Sequence, residues 1–168
     1  MAQTGLDNLR LLGAGSAFRA ELAAMIEGMP LFSDLEWNEV ETLANYMQAY
    51  EAGKGSTVFS EGGAGNFMCL LVKGKVDVVK EDSHGAQKVV ATVSSGKALG
   101  EMALFDNEPR SARAVAVETS TLLLLTRENF NRIMDDHPRL ASHLTLKLAR
   151  LLSQRLRQTS GMLVDYLG

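Results

Sequence analysis

Residues 99–116 read LGEMALFDNEPRSARAVA, and this stretch is the most informative part of the chain. Glu101 opens an apolar run about as long as one helical turn, and Arg110 follows nine residues later, directly after Pro109. Gly100 has no side chain, so the backbone there can approach a ligand closely. The first N–H groups of a helical turn lack intrahelical acceptors and attract anions, and a guanidinium fits phosphate oxygens. The stretch therefore predicts a site for a phosphate with a neighbouring sugar hydroxyl.

Smaller residues complete this prediction. Ser111 adds a hydroxyl donor beside Arg110, and the small side chains of Ala112 and Ala114 leave room at a pocket wall. Glu101 and Arg110 have an alternative use, because an acid and a base at this separation can also form a structural salt bridge that closes a loop.

Composition narrows the class of protein. The 168 residues suit one domain, and a net charge of −3 argues against broad nucleic-acid binding, which needs clustered Lys and Arg. Cys69, the one cysteine, has apolar neighbours, which predicts a buried, reduced thiol. The three His lack metal-ligand spacing, and no nucleophile motif or Ser-His-Asp order stands out. We therefore expect no metal, no cofactor and no enzymatic activity.

The location follows from apolar runs. Residues 11–18 are weakly apolar, but they lack the length and the basic start of a signal peptide. No run approaches the ~20 apolar residues that a membrane span requires. The sequence predicts a cytoplasmic protein without a membrane partner.

The first 50 residues predict two helices after a loosely structured segment of about 15 residues. Apolar residues recur at helical spacing over 18–26, and Gly28-Met29-Pro30 ends that helix. Ser33 or Asp34 is the expected cap of the second helix.

The middle of the chain predicts short strands separated by glycines. Strands are expected at 57–59, 67–72, 75–79, 88–93, 113–117 and 121–125. Gly74 would join two of them, and Ser83-His84-Gly85 would form a hairpin turn. The run Gly53–Thr57 lacks the full spacing of a phosphate-binding loop and predicts a hairpin turn instead. This pattern is typical of a barrel or jelly roll.

The last third predicts two helices. Thr126 caps the first, and Asp136-His137-Pro138 separates it from a long helix that runs to about Thr159. One stripe of the long helix carries Leu140, Leu144, Leu148, Leu151 and Leu152. The expected fold class is α+β, a β-barrel or β-jelly-roll flanked by N-terminal helices and two C-terminal helices.

The motif Gly100–Leu104 followed by Pro109–Ala112 resembles the phosphate-binding cassette of cyclic nucleotide-binding domains. The resemblance extends over nearly everything from Pro30 to Arg157 and includes the Val72-Lys73-Gly74 turn. We call residues 99–112 the cassette. Leu99 stands where the family often has an aromatic residue, a mild departure.

The resemblance implies roles for individual residues. Glu101 would accept a hydrogen bond from the ribose 2′-hydroxyl, and Arg110 would pair with the cyclic phosphate. Ser111 and the backbone amides around Met102, Ala103 and Ala112 would bind phosphate oxygens. On the long helix, Arg155 would stack on the base or donate to a guanine oxygen, or would be an ordinary solvated residue. The implied ligand-binding set is Leu99, Gly100, Glu101, Met102, Ala103, Arg110, Ser111, Ala112 and Arg155.

The resemblance also implies a function and partners. Cyclic AMP is the default ligand and cyclic GMP remains open. The expected domains are 1–29 (tail and helix), 30–160 (the nucleotide-binding domain) and 161–168 (tail). The expected chain is a stand-alone module without a helix-turn-helix, or a fragment of a longer protein. A homodimer through the long helix and a protein effector are expected. We expect a hinge at residues 136–138 to let that helix close on the base of the nucleotide. The alternative is a protein–protein adaptor that binds another ligand or none.

Overall fold

The structure, a computed structural model, describes residues 6–168. The chain divides into two units, the first ending at Asn131 and the second spanning Arg132–Gly168. Both β-sheets belong to the first unit, and the last helix belongs to the second. None of the helices within residues 6–168 combines the length and apolar character needed to span a bilayer.

The first unit contains two antiparallel sheets. Strands β1 to β9 span, in chain order, Arg10–Ala14, Gln48–Ala52, Thr57–Phe59, Phe67–Lys73, Lys75–Glu81, Gln87–Ser94, Ala98–Leu99, Arg113–Ala116 and Ser120–Thr126. One sheet has the order β1-β2-β9-β4-β7 and the other the order β3-β8-β5-β6. With the helices this makes the predicted α+β jelly roll, so the expected fold class is confirmed.

The core of the first unit draws side chains from both sheets. Its buried members are Ala52, Val58, Phe59, Phe67, Cys69, Leu71, Val76, Leu99, Ala114, Ala116, Leu122 and Leu124. Alternate residues of a strand point to opposite faces, so the inward set on β4 is Phe67, Cys69 and Leu71. The predicted burial of the Cys69 thiol is confirmed.

All six predicted strands are confirmed, with ends that differ by up to two residues. Strands β1, β2 and β7 were not predicted. The expectation of loose structure before residue 16 is wrong for residues 10–14, which pair with β2. Arg10 also donates to Glu51 of β2, with 2.8 Å between Nη2 and Oε1. This strand depends on a partner about 40 residues away, so no local pattern indicates it. The part of that prediction on residues 1–5 lies outside the described residues.

Two helices precede the sheets. Helix α1 spans Arg19–Glu27 and packs against α2, which spans Trp37–Ala44. The predicted cap at Ser33 or Asp34 is wrong, because a 3-10 helix at Pro30–Phe32 continues into a turn in which the Leu35 N–H bonds the Phe32 carbonyl at 3.0 Å. Helix α2 starts after Glu36, whose N–H donates to Glu39 Oε2 at 3.0 Å.

Helix α3 spans Arg127–Asp136, and α4 spans Pro138–Leu167. The predicted cap is confirmed, since Thr126 Oγ1 accepts the Asn129 N–H at 3.1 Å, and so is the break before Pro138. The predicted end near Thr159 is wrong: residues 161–167, assigned above to a tail, continue the helix. Gly161 costs about 1 kcal/mol in a helix, and the apolar residues that follow tolerate helical geometry.

Gly74 forms the predicted turn between β4 and β5. Its φ is +104°, and a Cβ there would lie 2.2 Å from Ser120 Oγ. Only glycine adopts this conformation freely and leaves that space, so the β4–β5 turn depends on it.

Candidate functional site

The cassette begins where β7 ends. Leu99 is buried in the core, and Gly100 takes a left-handed conformation with φ +73° before a 3-10 helix at Glu101–Leu104. Glu101 is only 3% exposed, whereas Met102 projects to solvent at 52%. The predicted helical turn at Glu101 is present, and its first N–H groups lack intrahelical acceptors by geometry.

Arg110 is buried, at 7% exposure, and is oriented by main-chain carbonyls. Its Nη1 donates to the Gly100 carbonyl at 3.1 Å and its Nη2 to the Phe67 carbonyl at 2.6 Å. The guanidinium carbon lies 4.1 Å from the ring centroid of Phe59 and 4.7 Å from that of Phe67. Two aromatic faces and two carbonyls therefore fix the cation beside the start of the cassette turn.

The Arg110 guanidinium keeps donors for a ligand. Its Nε is buried and meets no hydrogen-bond acceptor among residues 6–168. A guanidinium also carries more N–H groups than the two carbonyl bonds use. A buried cation with remaining donors is the arrangement that an entering phosphate would satisfy.

The charges around Arg110 influence one another. Burial lowers the pKa of Arg110; Cys69 and Glu101 act to raise it, while the nearby Arg127 lowers it. Arginine stays protonated at neutral pH despite such shifts. Burial raises the pKa of Cys69 to about 12, with Arg110 acting in the opposite direction. Cys69 is therefore a neutral thiol and not a nucleophile.

A glycine-rich loop at residues 60–66, which we call the glycine loop, holds the Arg110 backbone. The Gly62 N–H donates to the Arg110 carbonyl and the Arg110 N–H donates to the Gly63 carbonyl, both at 2.8 Å. A Cβ on Gly65 would lie 3.2 Å from Ala103 Cβ, so the loop approaches the cassette turn closely. This loop was not predicted from the sequence, although its Gly62-Gly63-Ala64-Gly65 run was the available signal.

The other end of the cassette lies at the start of β8. Ser111 is exposed and Ala112 half-buried. The Ser111 carbonyl accepts from Lys80 Nζ at 2.7 Å, which brings a further positive charge to the cassette.

Arg127, the first residue of α3, also contacts the cassette, a role not predicted from the sequence. Its guanidinium donates to the carbonyls of Ala103 at 2.7 Å and Asp106 at 2.6 Å, to Asn107 Oδ1 at 2.5 Å, and to the Gly65 carbonyl. Its sequence context reads only as the start of a helix, so no local signal could have assigned it to the site.

Arg155 lies on α4, in the second unit, and is half-buried. Of the predicted site residues, the structure brings Arg110 into contact with Gly100 in the first unit. The role of Arg155 at a base stays a prediction.

Comparison with known proteins agrees with this geometry. The sequence profile of the family described as "Cyclic nucleotide-binding domain" matches residues 50–137. The Cyclic AMP receptor protein of Thermus thermophilus is 35% identical over 133 residues, 79% of this chain and 60% of that protein. The cAMP-dependent protein kinase regulatory subunit of Blastocladiella emersonii is 33% identical over 119 residues, 71% of this chain and 30% of that protein. The chain therefore spans less than two thirds of the length of these relatives.

A solved structure is similar over almost the whole chain. The crystal structure of a cyclic nucleotide-binding domain from Methylobacillus flagellatus KT has a TM-score of 0.84 and 28% identity, and the alignment covers 98% of this chain and 92% of that one. The Thermus thermophilus Catabolite Activator Protein has a TM-score of 0.71 and 36% identity, with coverage of 82% and 62%.

Proposed function

This chain belongs to the cyclic nucleotide-binding domain family, and on that basis we propose that it senses cyclic AMP through its cassette. The observation that carries the proposal is the buried Arg110 guanidinium, held by two carbonyls and two aromatic rings beside the cassette turn. Burying a cation is costly even when carbonyls accept from it, and the negative charge of a phosphate in the site would offset part of that cost.

The proposed binding mode uses each end of the cassette. The remaining N–H groups of Arg110 donate to the equatorial oxygens of the cyclic phosphate, and the first amides of the 101–104 turn donate alongside them. The Glu101 carboxylate accepts from the ribose 2′-hydroxyl. Its burial strengthens such a bond, because little water competes for the carboxylate.

The choice of cyclic AMP over cyclic GMP is supported by the relatives. Two of the proteins compared above carry cyclic AMP in their names, and both align through the cassette region. Arg155 is the residue we propose to contact the base.

We further propose that binding is relayed to a protein effector through the C-terminal helices. A ligand shifts a conformational equilibrium only by its differential affinity for two states. The break between α3 and α4 at His137 is a suitable hinge for such a change. The two relatives are a receptor protein and a kinase regulatory subunit by name, which supports signalling over catalysis. The cytoplasmic location stays a prediction.

A homodimer through α4 is the proposed assembly. The C-terminal half of α4 exposes large apolar side chains, which are Leu156, Met162, Leu163, Val164, Tyr166 and Leu167. Leu152, Leu156, Thr159, Leu163 and Tyr166 follow one another at alternating spacings of four and three, the repeat of a two-helix seam.

Calorimetry with cyclic AMP tests the binding proposal. Arg110→Ala should weaken binding by about 2–5 kcal/mol, the scale for removing one side of a buried charge pair. Arg113→Ala is the matched control, because Arg113 bonds Thr57 Oγ1 at 3.0 Å instead of the cassette, and its affinity should stay near that of the wild type. Equal affinity of the Arg110 variant and the wild type would refute the assigned role. Absence of heat with any cyclic nucleotide would favour the adaptor alternative.

A further inference from the structure

The Arg127 guanidinium connects two loops that meet at the candidate site. Its acceptors at Ala103, Asp106 and Asn107 belong to the cassette. Its acceptor at Gly65 belongs to the glycine loop. The Arg127 guanidinium therefore forms hydrogen bonds with both the cassette and the glycine loop, the two loops that support Arg110.

The placement of Arg127 is not explained by the helix it starts. The N-terminus of a helix carries partial positive charge and favours acids over bases. The side chain is half-buried, and holding a long flexible group in one position costs conformational entropy. Bonds from one guanidinium to three carbonyls and a side-chain amide oxygen offset these costs, and all four acceptors lie outside α3.

The acceptors of Arg127 matter because the same loops position the anion-binding groups. The glycine loop holds the Arg110 backbone through the Gly62 N–H and the Gly63 carbonyl. The Ala103 carbonyl belongs to the 3-10 helix whose first amides are part of the proposed phosphate-binding mode. Displacing either loop would move Arg110 relative to those amides.

We propose that Arg127 is a positioning residue for the phosphate site. It fixes the position of the cassette relative to the glycine loop and adds positive charge near the anion. In this proposal Arg127 does not contact the ligand itself and acts through the groups that it positions. This inference rests on the proposed function for its effect on affinity. Its effect on the loops themselves is independent of any ligand.

The test compares Arg127→Met and Arg127→Lys with a neighbouring control. Thr126→Ala removes the hydroxyl that caps α3 and touches no cassette group through that hydroxyl, so it matches the position and the expected loss of stability. Lysine keeps the charge but donates from a single point, so it separates charge from bidentate geometry.

Two readouts are needed. In the ligand-free protein, hydrogen exchange at the Ala103, Phe105, Asp106 and Gly62 amides, relative to the remote Gly55 amide, should accelerate about tenfold in Arg127→Met and not in Thr126→Ala. In calorimetry, the affinity for cyclic AMP should fall about tenfold in Arg127→Met and by less in Arg127→Lys. Thr126→Ala should bind within about twofold of the wild type.

The outcomes separate the two proposals. A wild type that binds no cyclic AMP refutes the proposed function, while the exchange comparison still decides the role of Arg127. Unchanged exchange at the cassette amides in Arg127→Met overturns the positioning role. The same holds if Arg127→Met and Thr126→Ala weaken binding equally, because that result reduces the effect to general stability.

Discussion

Replacing Gly100 with alanine places a Cβ against the Arg110 guanidinium. A Cβ built there would lie 2.6 Å from Arg110 Nη1 and 3.2 Å from Phe59 Cε1. The Arg110 guanidinium would therefore have to shift. This shift is costly even for the end of a long side chain, because Phe59 and Phe67 cover the guanidinium and two carbonyls accept from it. The variant should therefore lose both stability and affinity.

The magnitude has two parts. Placing a Cβ residue at φ +73° costs about 1–2 kcal/mol, and breaking the bond from the Arg110 cation to the Gly100 carbonyl costs about 1.5–3 kcal/mol. We therefore expect the variant to be about 2.5–5 kcal/mol less stable in urea denaturation. Displacement of the guanidinium should weaken cyclic AMP binding by about tenfold or more.

Gly55→Ala is the control for backbone strain. Gly55 has φ +83° and nothing within 4 Å of a built Cβ, so its substitution carries the left-handed cost without the clash. Any stabilisation from a less flexible unfolded chain is the same in both variants and cancels. Urea denaturation and calorimetry on both would refute the reasoning if Gly100→Ala loses no more stability than Gly55→Ala and binds cyclic AMP as the wild type does.

Two further outcomes are expected. Burial in the folded state raises the pKa of Cys69 to about 12, so its thiol stays protonated at a pH where the unfolded thiol ionises. Ionisation then favours the unfolded state, and the folded protein loses stability as the pH rises from about 9 toward 12. The stability difference between wild type and Cys69→Ala should change by up to about 1.4 kcal/mol per pH unit there, and a constant difference in urea titrations would contradict it. Leu156→Asp combined with Leu163→Asp should convert a dimer into a monomer in analytical ultracentrifugation, while the exposed Gln158→Asp should not. A monomeric wild type would exclude the α4 dimer.

Several features follow from neighbouring residues alone. Pro138 cannot continue α3, Thr126 carries the hydroxyl that caps it, and Gly74 allows the β4–β5 turn, so each was predictable. The cassette motif belongs to the same class. A glycine, an acid, an apolar turn and a Pro-Arg pair specify its local conformation over about a dozen residues.

Local signals were insufficient where two local structures compete. Ser33 and Asp34 are good helix caps, but they lie in the turn that follows the 3-10 helix at Pro30–Phe32. Helix α2 therefore begins only at Trp37. Gly161 resembles a helix stop, yet the chain continues in α4 to Leu167. Each outcome depends on a difference of about 1 kcal/mol that single residues do not reveal.

The order of residues along the chain was enough to predict a barrel or jelly roll with six of its strands, the two C-terminal helices and the cassette, since spacing and turn residues encode these over short distances. The environment of the site came only from folding. Phe67 lies 43 positions from Arg110 and supplies the carbonyl that orients it, and Arg127 reaches Gly65 across 62 positions. Strand β1 likewise exists through its pairing with β2. Contacts between distant segments form when the chain packs, and no local periodicity records them.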